Sequence, residues 1–217
     1  MKDIRKHVLI TGTGRAGTTF LVELLTNLGF ATGFTADEIK KKKNKLGRAG
    51  LEHRLLSPNC PYIVKDPWFC DYAAEALERE DVAIEHIFIP IRNLSAAAES
   101  RRFVTREGLK KKPLMKRIAF FLGKKMEFPG GLWHTRSLKK NAQEIVLLNQ
   151  LYKLLLPLSE YHIPTTFIRY PRSVQDGQYL FEKLKPVLRD IDLTTFLDAH
   201  AKTARPDLVH QFNDDDK

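Results

Sequence analysis

The sequence predicts an α/β fold with a mainly parallel sheet as its middle layer and helices on both faces. Three observations predict it. Short apolar runs of strand length alternate with longer stretches whose apolar residues recur at helical spacing. The first run passes through a Gly/Thr-rich turn directly into an amphipathic stretch. The runs end in charged or small residues, at the strand ends where folds of this kind bind ligands. With 217 residues, the chain suffices for one domain with a real core, and residues 1–217 are read as a single domain.

The elements follow in order. Residues 7–11 form a short buried strand, 11–17 the turn, and Phe20, Leu21, Leu24, Leu25 and Leu28 the apolar stripe of a helix stopped by Gly29. Residues 62–64 form a second strand that runs into Lys65-Asp66-Pro67. A helix over 71–79 precedes a third strand over 84–91. A helix over 94–102 follows, with Asn93 or Ser95 as its cap. Pro113, Pro129 and Gly130-Gly131 break the pattern, so about 103–135 reads as a basic insertion or lid. A helix over 138–156 stops near Pro157, a fourth strand covers 165–170, and helices cover 176–188 and 194–201. The tail, 213–217, reads as disordered.

Hydrophobic content of 43% and charged content of 29% are ordinary for a globular protein. Two cysteines, Cys60 and Cys70, do not make a disulfide framework. The apolar run at 7–10 is too short for a signal-peptide core or a membrane span, and the expected location is cytoplasmic. The formal net charge of +10 is uneven: residues 101–140 hold 13 Lys or Arg against Glu107 and Glu127. A second cluster comprises Lys40 to Lys43, Lys45, Arg48 and Arg54. Such a field suits an anionic ligand, a nucleic acid or an anionic membrane, or is merely a solvated lysine face.

Gly12-Thr13-Gly14-Arg15-Ala16-Gly17-Thr18-Thr19 has the frame of the nucleotide P-loop in its strand-to-helix context. Glycines let successive N–H groups turn inward, the helix start adds its dipole, and Thr18 and Thr19 add hydroxyls, together making an anion cradle. Thr18 stands where a nucleotide triphosphatase has Lys, and Arg15 supplies a cation earlier. The expected fold is therefore P-loop-type and three-layered.

Arg15-Ala16-Gly17-Thr18-Thr19-Phe20-Leu21 resembles the P-[KR]-[ST]-G-T-T-[WFL]-L loop of sulfotransferases that use 3′-phosphoadenosine 5′-phosphosulfate (PAPS). Gly14 and Ala16 depart from it. Arg92 at the end of the third strand, with Ser100 eight positions on, is similar to that family's grip on the 3′-phosphate. Lys65-Asp66-Pro67 looks like the K-[DST]-P element of the tyrosylprotein and carbohydrate members, whose lysine contributes to catalysis. The Phe167-Ile168-Arg169-Tyr170 strand is similar to a structural segment of the family, with Pro171-Arg172 in place of its acidic pair.

The resemblance implies sulfuryl transfer from PAPS to a hydroxyl acceptor, by in-line displacement and without a metal, leaving 3′,5′-bisphosphorylated adenosine (PAP). It implies that Gly14, Arg15, Ala16, Gly17, Thr18, Thr19, Phe20, Arg92 and Ser100 bind the nucleotide. Arg15 and Lys65 would stabilise developing charge. Glu38 is the first candidate base and Asp37 the second, with His53 and His134 as rivals. The acceptor is expected to be a carbohydrate, such as an anionic or lipid-linked glycan, with protein tyrosine or a small alcohol as alternatives.

Two other readings stay open. A P-loop nucleotide or small-molecule kinase would explain the loop and use Asp66 as a Mg²⁺ ligand, but leaves Arg92 and Ser100 without a role. A non-enzymatic binder of an anionic polymer or membrane surface would act through 101–140, where 114–125 mix cations with Met115, Ile118, Phe120, Phe121 and Leu122. No nucleic-acid-binding motif appears, and none is expected as a partner.

Overall fold

The computed structural model describes residues 4–42, 49–124, 126 and 128–209. Lys43, Lys45, Arg48, Glu127 and the tail at 213–217 lie outside the described residues. The elements are β1 (Arg5–Ile10), α1 (Thr18–Asn27), α2 (Ala36–Lys42), β2 (Ile63–Lys65), α3 (Ala73–Leu77), β3 (Val82–Ile91), α4 (Leu94–Lys110), α5 (Leu114–Phe121), α6 (Lys140–Glu160), β4 (Thr165–Arg169), α7 (Arg172–Gln175), α8 (Gly177–Leu188) and α9 (Leu193–Thr203). No helix among the described residues is long and apolar enough to cross a membrane.

The four strands are parallel, in the order β2-β1-β3-β4. Their side chains alternate between two cores, as the two-residue period of a strand requires. Val8, Ile10, Ile63, Phe88 and Ile168 face a layer that includes Leu21 and Leu25 of α1, Leu180 and Leu184 of α8 and Phe196 of α9. Leu9, Val64, Ile87 and Ile89 face Ala73 and Ala76 of α3 and Leu154 and Leu158 of α6. The result is the three-layer α/β arrangement the sequence predicts.

Strand order places the site. From β1 the chain moves outward to β2 on one side, then returns across to β3 on the other. The loops after β1 and β3 therefore diverge, opening a crevice at the carboxyl ends of these strands, where α/β sheets bind ligands.

Several boundaries differ from the sequence reading. The helix expected over 94–102 continues to Lys110 because Val104, Thr105, Gly108 and Leu109 extend the buried stripe begun by Ala97, Ala98 and Arg101. The first part of the expected insertion is thus the second half of α4. Asn93 supplies the cap, accepting a hydrogen bond from Ala96 N–H at 3.0 Å. Pro157 does not stop α6, which runs one turn further and ends with Tyr161 N–H bonded to Pro157 C=O at 3.0 Å. Gly29 terminates α1 as expected: it takes φ 87°, while Phe30 N–H bonds to Leu25 C=O and Gly29 N–H to Thr26 C=O, the Schellman pattern.

Gly108 lets α4 approach the segment beyond α5. A Cβ there would lie 2.3 Å from Cδ1 of Phe128. Gly108→Ala is expected to cost about 1–3 kcal/mol through overpacking, seen as a lower urea midpoint with an unchanged m-value.

Candidate active site

β1 is buried at its end, and Thr11 fixes the start of the loop by donating its hydroxyl to Asp66 C=O at 2.8 Å. The loop then turns through left-handed backbone at Gly14 (φ 67°), Arg15 (φ 55°) and Gly17 (φ 85°). Glycine is required twice. A Cβ on Gly14 would meet the Arg101 guanidinium at 2.7 Å, and one on Gly17 would meet the Tyr170 ring at 2.9 Å. Gly17 offers no side chain to cap α1, so the first-turn amides, which have no helical partners, open towards the crevice.

A cleft of about 1390 Å³ lies over this loop. That exceeds the ~300–1,000 Å³ of a typical single small-ligand pocket and leaves room for two molecules side by side. Its walls carry eight Lys or Arg side chains against two carboxylates, Glu23 and Glu52. Gly14, Arg15, Gly17, Thr18, Thr19 and Phe20 all line it. Ala16 is fully buried with its methyl turned inward.

Arg92 lines the same cleft. Its guanidinium donates to Arg15 C=O at 3.2 Å and stacks over the Tyr170 ring at 5.1 Å. Ser100 is buried one layer behind, where its hydroxyl accepts from Arg15 Nε at 2.9 Å. Loop, Arg92 and Ser100 are therefore brought together, with Arg15 as their link. Accepting from Arg15 uses a lone pair of the Ser100 oxygen and leaves its O–H able to donate.

Arg101 is neither solvated nor a bystander. It is 7% exposed, donates to Thr13 C=O at 2.6 Å and to Gly131 C=O at 2.7 Å, and stacks on Trp133 at 4.9 Å. Its Nε is buried with no hydrogen-bond partner, and no carboxylate pairs with it among the described residues. Burial, reinforced by the neighbouring Arg15, pushes its pKa down to about 9. Its place on the buried stripe of α4 was the available signal.

Lys65 stands on the other side of the loop, at the end of β2. Its ammonium is 4% exposed and donates to Thr19 Oγ1 at 2.8 Å, Gly50 C=O at 2.6 Å and Glu52 Oε1 at 2.8 Å. Burial lowers its pKa, and Glu52 opposes that shift. Asp66 beside it points into the opposite layer, where its carboxylate accepts from Leu55 N–H, Trp68 N–H and the Tyr72 hydroxyl. It is spent on holding the turn after β2.

The structure does not bring Asp37 and Glu38 into the cleft. Thr35-Ala36-Asp37-Glu38 is a capping box: Glu38 accepts from Thr35 N–H at 2.9 Å, while Thr35 Oγ1 accepts from Glu38 N–H at 3.3 Å. Glu38 also pairs with Lys42 at 3.3 Å, and Asp37 is 85% exposed beside Lys40. His53 packs under Phe34 with its Nε2 buried and unpartnered. His134 is at the cleft wall, half exposed, 3.7 Å from Asp71. The carboxylate in the cleft beside Lys65 is Glu52, which sequence reasoning missed. Its segment has no periodicity to read and is placed by burial of Leu51 and Leu55 in the two cores and by hydrogen bonds such as His53 N–H to Lys65 C=O at 3.0 Å.

The chain matches no protein-family profile, no curated protein and no solved structure.

Removing the Glu52 charge leaves the Lys65 ammonium buried without a counter-ion, so Glu52→Gln is expected to destabilise the fold by about 3 kcal/mol at neutral pH. A lysine with a lowered folded-state pKa binds fewer protons folded than unfolded, so stability rises with pH between that value and the ordinary lysine pKa. Glu52→Gln lowers the Lys65 pKa further and widens the window. The deficit relative to wild type should therefore shrink as pH rises towards ~10, as measured by urea denaturation across pH.

Proposed function

We infer that this protein is a sulfotransferase that binds PAPS across the cleft and transfers its sulfuryl group to a hydroxyl acceptor. The observation that carries this reading is the order of groups along the carboxyl edge of the sheet. Lys65 ends β2 and holds Glu52 beside it, the glycine loop follows β1, and Arg92 follows β3, all facing one cleft.

The residues fit a bisphosphorylated nucleoside. The loop amides, Arg15 and the Thr18 and Thr19 hydroxyls form a cradle for one anionic group. Arg92 offers a second grip one strand away, with Arg101 behind the loop as a fixed positive charge. When bound, PAPS supplies a sulfuryl group already activated by its phosphosulfate anhydride. Arg92 then anchors the 3′-phosphate end, and the transferring end lies towards Lys65.

Glu52 is assigned as the base. It accepts the proton of the acceptor hydroxyl as a bond forms from that oxygen to sulfur and the bond to the bridging oxygen breaks. Lys65 has its three donors committed to Thr19, Gly50 and Glu52, so it stabilises the departing oxygen by exchanging one of these partners. Thr19 is the suitable one, since it faces the same anion. Positive charge fixed in a buried site acts strongly and needs little reorganisation. Trp68, Trp133 and Arg136 on the cleft wall offer flat apolar faces and a cation to an anionic or lipid-linked glycan as acceptor. A kinase reading lacks support at two points: Thr18 replaces the loop lysine, and the Asp66 carboxylate is engaged elsewhere.

Thermal melting with PAP, with ATP and Mg²⁺, and with buffer alone tests the nucleotide. PAP is expected to raise Tm and ATP with Mg²⁺ to leave it unchanged, with Arg92→Ala weakening PAP binding roughly 10- to 100-fold through loss of a charge-assisted hydrogen bond. A shift with ATP alone would overturn the assignment. For the base, Glu52→Gln should retain PAP binding and lose turnover on a hydroxyl acceptor, while Glu38→Gln keeps both; the reverse pattern would restore Glu38.

A further inference from the structure

The excursion between α4 and α6 carries a surface that the cleft does not use. Leu114, Met115, Ile118 and Phe121 lie on one face of α5, with Leu122 at its end, and they are 66%, 75%, 42%, 63% and 82% exposed. In α5 itself, only Phe120 is buried, at 3% exposure. Every residue from 111 to 118 is exposed. Five large apolar side chains gathered on one short helix exceed the scattered exposure ordinary for a surface.

Cations surround this face. Between 106 and 124 the chain has seven Lys or Arg and one carboxylate, Glu107, which is engaged with Lys110 at 2.6 Å. Lys111 and Lys112 precede the helix, Lys116 and Arg117 flank its apolar side, and Lys124 follows it. We propose that α5 is a docking face for an anionic lipid bilayer, its apolar side chains entering the headgroup–acyl boundary and its flanking cations meeting anionic headgroups.

Charge and shape select this occupant. A second copy of the chain docked face to face would set one cluster of cations against another. Duplex nucleic acid would satisfy the cations but leave Leu114, Phe121 and Leu122 against phosphates and water. A bilayer satisfies both sets together: burial of apolar area and attraction of roughly 1 kcal/mol per cation near an anionic surface act in the same direction.

The docking face is also continuous with the cleft. Phe120 meets Phe128 edge to face at 5.9 Å, and Gly123 packs close to Arg136, to which an added Cβ would lie at 3.3 Å. Phe128 and Arg136 both line the cleft. A docked molecule would hold that wall beside the headgroups. This inference stands on α5 alone and does not require any particular cleft ligand.

Co-sedimentation of the full chain with vesicles tests it. Vesicles of phosphatidylcholine with phosphatidylglycerol in equal parts are expected to bind at least about tenfold more protein than phosphatidylcholine alone, and less as salt rises. Leu114→Ser with Phe121→Ser should reduce binding by roughly tenfold or more, and Lys111→Glu with Lys112→Glu by roughly tenfold, with Tm unchanged for the lysine pair and the fold retained by circular dichroism in both. Absence of binding, equal binding to both vesicle types, or binding that survives the Leu114/Phe121 pair would overturn the proposal. So would tighter binding to duplex DNA than to vesicles, or self-association abolished by the same pair.

Discussion

Burying the guanidinium of Arg101 is the constraint around which the crevice is organised. Taking an ion out of water costs several kcal/mol even after relaxation. Two short bonds to the carbonyls of Thr13 and Gly131 and the face of Trp133 recover part of that, at ~1.5–3 kcal/mol for each charge-assisted bond. Arg15 lies close enough to oppose it. The charge is thus held by dipoles and left without an opposing charge among the described residues. An anion in the adjacent cradle would supply that opposing charge. The same two bonds fasten the glycine loop to the 128–136 wall, so electrostatics and architecture share one side chain.

The two ends of the crevice then differ in kind. Behind the loop, the Arg101 guanidinium is met by two carbonyls and the Trp133 ring, with no carboxylate paired to it among the described residues. At the Lys65 end, a buried ammonium is paired with a carboxylate at 2.8 Å, an environment in which charge can be rearranged as a hydroxyl loses its proton. Strand order creates this polarity. Because β1 lies between β2 and β3, the glycine loop sits in the middle with Arg92 on one side and the Lys65–Glu52 pair on the other. A ligand with anionic groups at two separated positions would be oriented by that asymmetry alone.

What the sequence revealed, and what it hid, follows from the range of the interactions. The parallel layered sheet was legible because buried strands read as apolar runs and helices as periodic stripes, both local properties. The loop was legible because its backbone requires glycine at fixed offsets. Arg92 and Lys65 were visible as charges at strand ends. Glu38 misled, since a carboxylate after the first helix looks chemical, yet Thr35 three residues earlier makes it a capping partner on an outer face. Glu52 stayed hidden because residues 49–62 have no regular structure and owe their position to long-range hydrogen bonds and to the separate burial of Leu51 and Leu55 in the two cores. The end of α4 was obscured by cations interleaved with its buried residues, and Arg101 was obscured because a charge in a basic run reads equally as part of an anion site or of a solvated face.

The excursion after α4 shows how one aromatic anchor can serve two surfaces. Phe128 packs into the space Gly108 leaves on α4, and Phe120 packs against Phe128, fixing α5 to the body through a single cluster of rings. Burial in this segment is therefore centred on Phe120 and Phe128, with Phe121 touching Phe120 edge to face, while Leu114 and Met115 stay mostly exposed. Apolar residues that the fold does not use, placed among cations that α5 does not need for its own stability, lie on the same support as one wall of the cleft. The face of α5 and the cleft wall therefore meet through Phe128 and Arg136, so a change in the packing of one bears directly on the other.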